Sequence, residues 1–130
     1  MISAGPPTSL LTRWRRKFGD AFDGLFHGIR TESSLKVHFV CAILVLVVAG
    51  VLVIELWRWA VLLSCIALVI SAEYFNSAIE QLVRALNPGV NPEIAKALHL
   101  AAAAVLIASL FATLIGLITL VGPMQESLGF

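Results

Sequence analysis

The chain has 130 residues, of which 59% are hydrophobic and only 13% charged, with a mean hydropathy of +0.94 and a formal net charge of +1. A soluble domain carries about 25% charged residues, and a chain this short cannot hide so much apolar surface from water. It reads as an all-α integral membrane protein of one domain, and its near-zero charge gives no bulk electrostatic case for nucleic acid.

Residues 1–9 have no period and contain Gly5-Pro6-Pro7, which reads as a disordered lead-in. They lack the continuous apolar core of a signal peptide. From Leu10 the pattern changes. Trp14, Phe18, Phe22, Leu25 and Ile29 recur at helical spacing, with Arg13, Arg16, Lys17, Asp20, Asp23, His27 and Arg30 largely between them. That is an amphipathic helix over 10–30, with aromatic and basic faces suited to the plane of a membrane surface or to packing on the protein's own bundle.

Gly28 to Ser34 should form a break, with Thr31, Ser33 or Ser34 able to cap the next helix. Three spans follow, at about 35–56, 57–86 and 92–121. The uncharged core of the first, Phe39 to Ile54, is short for the ~20 residues that cross a bilayer. His38 and Glu55 therefore fall near the two interfaces, and His27 and His38 read as interfacial residues. Trp57 and Trp59 mark the first connection as an interface as well. Asn87-Pro88-Gly89 stops one helix, and Asn91, Pro92 and Glu93 start another as N-cap, N1 and first-turn acid. Gly122-Pro123 should close the third span, so that the domain covers 10–123 and 124–130 form a tail. Within that span Ala104, Ala108, Ala112 and Gly116 repeat every four residues, a ladder for close helix packing. Cys41 and Cys65 sit in apolar runs without metal or disulfide spacing and read as small packing residues.

The organising stretch is Glu73 to Arg84. It continues the uncharged run from Trp59 to Ala72 with no Gly or Pro between. At about 3.6 residues per turn, Glu73, Asn76, Glu80 and Arg84 form one stripe, with Ser77 beside them. Such groups on a membrane helix are costly to place and usually face a bundle interior or a water-filled cavity. A merely solvated helix end would scatter its charges round the wheel. Six of the nine Lys and Arg residues lie before the first span, namely Arg13, Arg15, Arg16, Lys17, Arg30 and Lys36. The positive-inside rule then places the N-terminus and the 84–97 loop in the cytoplasm and the C-terminus outside. Glu32, Glu73, Asn76, Glu80, Arg84, Lys96 and His99 gather at the cytoplasmic face, at headgroup depth.

Carboxylates with few bases suit an oxygen-bound divalent cation; Mg²⁺ is commonly held by one or two carboxylates plus substrate phosphates. Neither Gly-rich phosphate loop motif is present, so a nucleotide would be held through metal and side chains. Proton or ion translocation is the other chemistry such carboxylates serve, and three short spans would then need an oligomer to form a path.

These residues also carry a resemblance. Glu73 to Arg84 reads EYFNSAIEQLVR, which matches the prokaryotic diacylglycerol kinase and undecaprenol kinase signature E-x-x-N-[ST]-A-[ILV]-E-x-x-V-D except at its last position. RTESSLKVH, Arg30 to His38, resembles the family's TERNFRIH-like segment. The resemblance spans about Arg15 to Gly122. It implies a surface helix with three transmembrane helices per subunit, a homotrimer with sites at subunit interfaces, and transfer of the ATP γ-phosphate to a membrane lipid hydroxyl in the bacterial inner membrane. By position, Glu73 resembles the family's catalytic base and Asn76 its positioning residue, while Glu32 and Glu80 resemble its Mg²⁺ ligands.

Departures from the pattern cluster round the expected nucleotide site. Arg84 stands for Asp, and the Lys-Asp-x-Ala-Ala-Gly-Ala-Val opening of the third span reads Leu98 to Val105, with Leu98, His99 and Ala103 at the Lys, Asp and Gly positions. Two accounts stand. Arg84, with Ser77, Lys96 and His99, supplies relocated nucleotide and phosphate contacts; or nucleotide binding has decayed, leaving a silent structural or regulatory relative. Retained Glu32, Glu73, Asn76 and Glu80 favour the first, since an idle site has no physical need of buried carboxylates. Diacylglycerol and undecaprenol both present a hydroxyl at the headgroup plane. Asn91 to Lys96 and Ala104 to Ile118 lean toward the undecaprenol branch.

Overall fold

The computed structural model describes residues 9–86 and 89–129. Four helices follow in order: α1 Leu10–Thr31, α2 Ser33–Val51, α3 Leu56–Leu86 and α4 Pro92–Leu128. The last three are long and apolar enough to cross a membrane. The fold is that of an all-α membrane protein with an amphipathic helix ahead of three spans. At about 1.5 Å per residue, the 19 residues of α2 reach about 28 Å, roughly the ~30 Å thickness of a hydrocarbon core. The 31 residues of α3 and 37 of α4 are much longer, so part of each must extend beyond the hydrocarbon.

Apart from Ser9, the expected lead-in lies outside the described residues, as do Asn87 and Pro88 of the second turn. The Ser9 hydroxyl accepts the Thr12 amide and caps α1. The break after α1 is narrower than expected, at Glu32 alone. Glu32 is the N-cap of α2 without a side-chain capping bond, and none of the expected hydroxyls caps it. Thr31 Oγ1 instead donates back to the His27 carbonyl at 2.8 Å. Asn91 does cap α4, accepting the Glu93 and Ile94 amides.

Packing follows a seven-residue seam. Leu35, Ala42 and Ala49 are the buried positions of α2, and Leu62, Val69 and Asn76 recur at the same interval on α3, with Glu73 and Ser77 buried beside them. A seven-residue interval keeps one face of a helix against its neighbour. α4 packs chiefly on α3; Ala108 is buried, and a β-carbon at Gly116 would stand 4.0 Å from Leu62 Cδ2. Outward faces carry Val40, Leu44, Val47, Leu63, Leu106 and Leu110, the surface that hydrocarbon covers. The aromatic side of α1, Trp14, Phe18, Phe22 and Phe26, is likewise exposed.

α1 is tied to the bundle at one crossing. Gly28 is its buried residue, Tyr74 of α3 lies against it, and the Tyr74 hydroxyl donates to the Leu25 carbonyl at 2.6 Å. A β-carbon at Gly28 would collide with the Tyr74 ring. Gly28→Ala should therefore lower stability in micelles by about 1–3 kcal/mol through overpacking. In a Tyr74→Ala background the same change should cost far less, which thermal unfolding of the four proteins will show.

Two span ends differ from expectation. The first span stops at Val51, and Leu52 to Glu55 turn the chain with Val53 at a φ of +49°. The third does not close at Gly122-Pro123 but runs to Leu128, where Gly129 ends it in the left-handed conformation. Proline has no N–H for the carbonyl four residues back, here that of Thr119. Arg58 supplies the missing donor: its Nη1 bonds to the Thr119 carbonyl. Glu55 holds Arg58 in place, accepting its Nε at 2.9 Å and Trp57 Nε1 at 2.8 Å, while the guanidinium stacks 4.6 Å from the Trp57 ring centroid.

Arg58→Leu leaves the Thr119 carbonyl unpaired and should destabilise the protein by about 1–3 kcal/mol. Adding Pro123→Ala restores a helical donor and should recover part of that loss, a coupling that a double-mutant cycle measures. The Arg58 and Trp57 hydrogen bonds hold the Glu55 carboxyl below the ordinary carboxylate range. A depressed carboxyl contributes its stability above its unfolded pKa and loses it as pH falls through the folded one. The clamp should thus be complete at neutrality and weaken only in acid.

Candidate active site

The α3 seam changes character at Glu73. Leu62 and Val69 bury hydrocarbon, and one turn later the same face buries a carboxylate, an amide and a hydroxyl. Glu73 is 4% exposed, Asn76 9% and Ser77 5%. The helix then emerges, and Glu80 and Arg84 are progressively open to solvent. Glu32, at the α1–α2 junction, lies across from this end of α3.

The polar groups form a connected chain. Asn76 Nδ2 donates to Glu80 Oε1 at 2.9 Å, and Arg84 Nη2 lies 3.8 Å from Glu80 Oε2 and 3.6 Å from Glu32 Oε1. Gln81 Nε2 donates to Glu32 Oε1 at 2.8 Å. Two carboxylates thus converge on one guanidinium nitrogen, leaving one formal negative charge uncompensated. The buried Asn76 Oδ1 has no hydrogen-bond partner. Among the described residues no group of three or more His, Cys, Asp or Glu side chains stands ready to enclose a metal. Two carboxylates and an unpartnered amide oxygen fit an oxygen-loving divalent cation that draws its other ligands from phosphate and water.

Glu73 stands apart from that chain. Its Oε2 faces His38 Nε2 of α2 at 3.9 Å. His38 in turn lines an apolar cleft of about 370 Å³ between α2, α3 and α4, which continues past Val45, Ile66 and Ser109 to Leu120. Ser109 Oγ is buried there without a partner. The site therefore has two halves: an acidic one near solvent, and a buried carboxylate that faces the hydrocarbon-lined cleft through His38.

Of the residues that the sequence assigns to the site, the structure brings Glu32, Asn76, Glu80 and Arg84 into one network, with Ser77 buried beside it and Glu73 one turn deeper. Lys96 and His99 do not join them. Lys96 Nζ pairs with Glu93 at 2.8 Å on its own helix, and His99 is exposed. The groove between the end of α3 and the start of α4 is lined by Val83, Arg84, Ile94, Ala95 and Leu98, so its cation comes from α3. Sequence reasoning missed His38 and Gln81. Gln81 follows Ser77 by one turn at the edge of the stripe. His38 sits three residues after Leu35, where the seven-residue seam turns it toward α3.

The profile of the family described as prokaryotic diacylglycerol kinase matches residues 19–120. The undecaprenol kinase of Bacillus subtilis (strain 168) is 28% identical over 108 residues, which cover 83% of this chain and 88% of that protein. Glu32, the α3 stripe, His38 and the cleft all lie within the matched region, and the chain belongs to the prokaryotic diacylglycerol kinase family of membrane lipid kinases.

Proposed function

We propose that the protein transfers the γ-phosphoryl group of ATP to the hydroxyl of a long-chain membrane alcohol of the undecaprenol type, serving lipid-carrier recycling. The observation that carries this reading is Glu73, a carboxylate 4% exposed, one turn deeper than the acidic network and facing His38, which lines the apolar cleft. A base there reaches a lipid hydroxyl delivered from the hydrocarbon, while the network beside it meets a nucleotide from the water. Undecaprenol is preferred to diacylglycerol on the likeness to the Bacillus enzyme and on the third-span sequence.

Phosphoryl transfer asks for positioning and charge neutralisation rather than covalent help. Glu73 takes the proton of the acceptor hydroxyl as its oxygen attacks the γ-phosphorus; the bond from that phosphorus to the bridging oxygen breaks, and ADP leaves. Glu32 and Glu80 would hold Mg²⁺, which when bound neutralises phosphate charge. Asn76 fixes Glu80 through its amide hydrogen bond. Arg84, 62% exposed in its side chain and loosely paired, is free to turn to the nucleotide phosphates, with Ser77 beneath and Lys96 and His99 as outlying contacts. The protomer is taken to work as a homotrimer in the bacterial inner membrane. The basic N-terminal segment supports a cytoplasmic side for the site.

Purified protein in mixed micelles with Mg²⁺ and γ-labelled ATP should label undecaprenol in preference to diacylglycerol. Glu73→Gln should lower that transfer by about 100-fold or more, the scale of a lost general base, without loss of thermal stability. No product from either lipid, in protein shown to be folded, would sink the kinase reading and return the silent alternative.

Removing divalent cations should abolish transfer, and Glu32→Gln and Glu80→Gln should each raise the Mg²⁺ concentration needed for half-maximal rate. Arg84→Gln should instead raise the KM for ATP. Titrating Mg²⁺ and ATP separately tells these effects apart.

A further inference from the structure

We propose that His38 is the proton exit of the site, a positioning residue that acts through Glu73. The proposal rests on the reading of Glu73 as the base. Each turnover breaks the acceptor O–H bond and leaves its proton on the Glu73 carboxylate. At 4% exposure, Glu73 has little direct route to bulk water, and a buried carboxyl left protonated is no longer a base for the next hydroxyl. His38 answers that need. Its Nε2 faces Glu73 Oε2 at 3.9 Å, and its side chain is 24% exposed against 5% for that of Glu73.

Among the described residues no other basic side chain stands within ion-pair distance of Glu73. The other titratable groups lining the same cleft are the thiols of Cys41 on α2 and Cys65 on α3. A separation of 3.9 Å is one small side-chain movement, or one bridging water, from a hydrogen bond, and such contacts commonly tighten when substrate binds. Imidazole exchanges protons readily near neutrality. The step balances without any co-reactant. Protonated Glu73 gives its proton to the neutral imidazole, and the pair becomes carboxylate and imidazolium. The imidazolium then loses a proton to water, returning both groups to their starting forms.

The test compares wild type, His38→Gln, His38→Ala and Glu73→Gln in the labelled-ATP assay with undecaprenol, together with thermal unfolding of each. His38→Gln keeps a hydrogen-bond donor but cannot carry the proton. The expected result is a kcat at least tenfold lower for both His38 variants, with the KM values for ATP and lipid little changed. Added imidazole should restore part of the His38→Ala rate and none of the Glu73→Gln rate. His38 variants that keep the wild-type kcat, that lose activity through KM alone, or that fold yet gain nothing from imidazole would overturn the relay and leave the kinase reading standing. Wild-type protein without transfer would overturn both.

Discussion

The structure turns on the cost of placing one ionisable group where the apolar seam of α3 ends. Burying a carboxylate without partners costs several kcal/mol or forces it to neutralise, yet Glu73 takes the seam position one turn after Val69. Two features make that position tenable. α3 is far longer than a bilayer core, so the turns beyond Glu73 lead toward water rather than further into hydrocarbon. And α2 crosses there with His38, a polar side chain on an otherwise apolar face. The break at Glu32 and the close approach of Gly28 to Tyr74 follow from the same geometry. They bring the α1–α2 junction against α3, so that a third carboxylate, Glu32, meets the stripe that carries Glu73 and Glu80.

Two arginines show how the ends of the bundle are built to different purposes. The Arg58 side chain is mostly buried, hydrogen-bonded to Glu55 and the Thr119 carbonyl and stacked on Trp57. Each contact has hydrogen-bond or stacking geometry, and the Thr119 carbonyl would otherwise be orphaned by Pro123. Arg84 is mostly exposed, and its two carboxylate contacts are longer than hydrogen bonds. An exposed pair of that kind is worth little. The first arginine fixes the fold at the end remote from the site. The second neutralises part of the acidic cluster while remaining cheap to displace, which is what a binding site for charged ligands requires.

Much of this was legible in the sequence because it depends on local periodicity. The surface helix, the number of spans and the Glu73–Arg84 stripe follow from one helix at a time, and so does the Asn91 cap. What was not legible depends on pairing between helices. Pro123 reads as a stop because its missing N–H ordinarily leaves a carbonyl unpaired, and nothing near it in sequence shows that Arg58 reaches that carbonyl. Thr31 reads as a cap for α2, yet its hydroxyl is satisfied within α1. His38 reads as interfacial because a lone histidine at a span boundary usually is. Only the interval from Leu35 to Ala42 to Ala49 reveals which way it faces, and that interval carries meaning once α2 is known to lie on α3.

The departures from the family pattern gain a physical sense from the same geometry. With Leu98 where the family places Lys, the groove between α3 and α4 has no cation from α4; Lys96, two residues earlier, is spent on Glu93. A phosphate-bearing ligand in that groove would meet an apolar wall on one side. Arg84 restores a positive charge from the opposite wall, at the α3 position where the family carries Asp. An Asp there would have added a third carboxylate beside Glu32 and Glu80 with no lysine to balance it. Under the proposed kinase reading, Arg84 offsets the missing Lys at position 98, so the two departures act together on the charge of the groove.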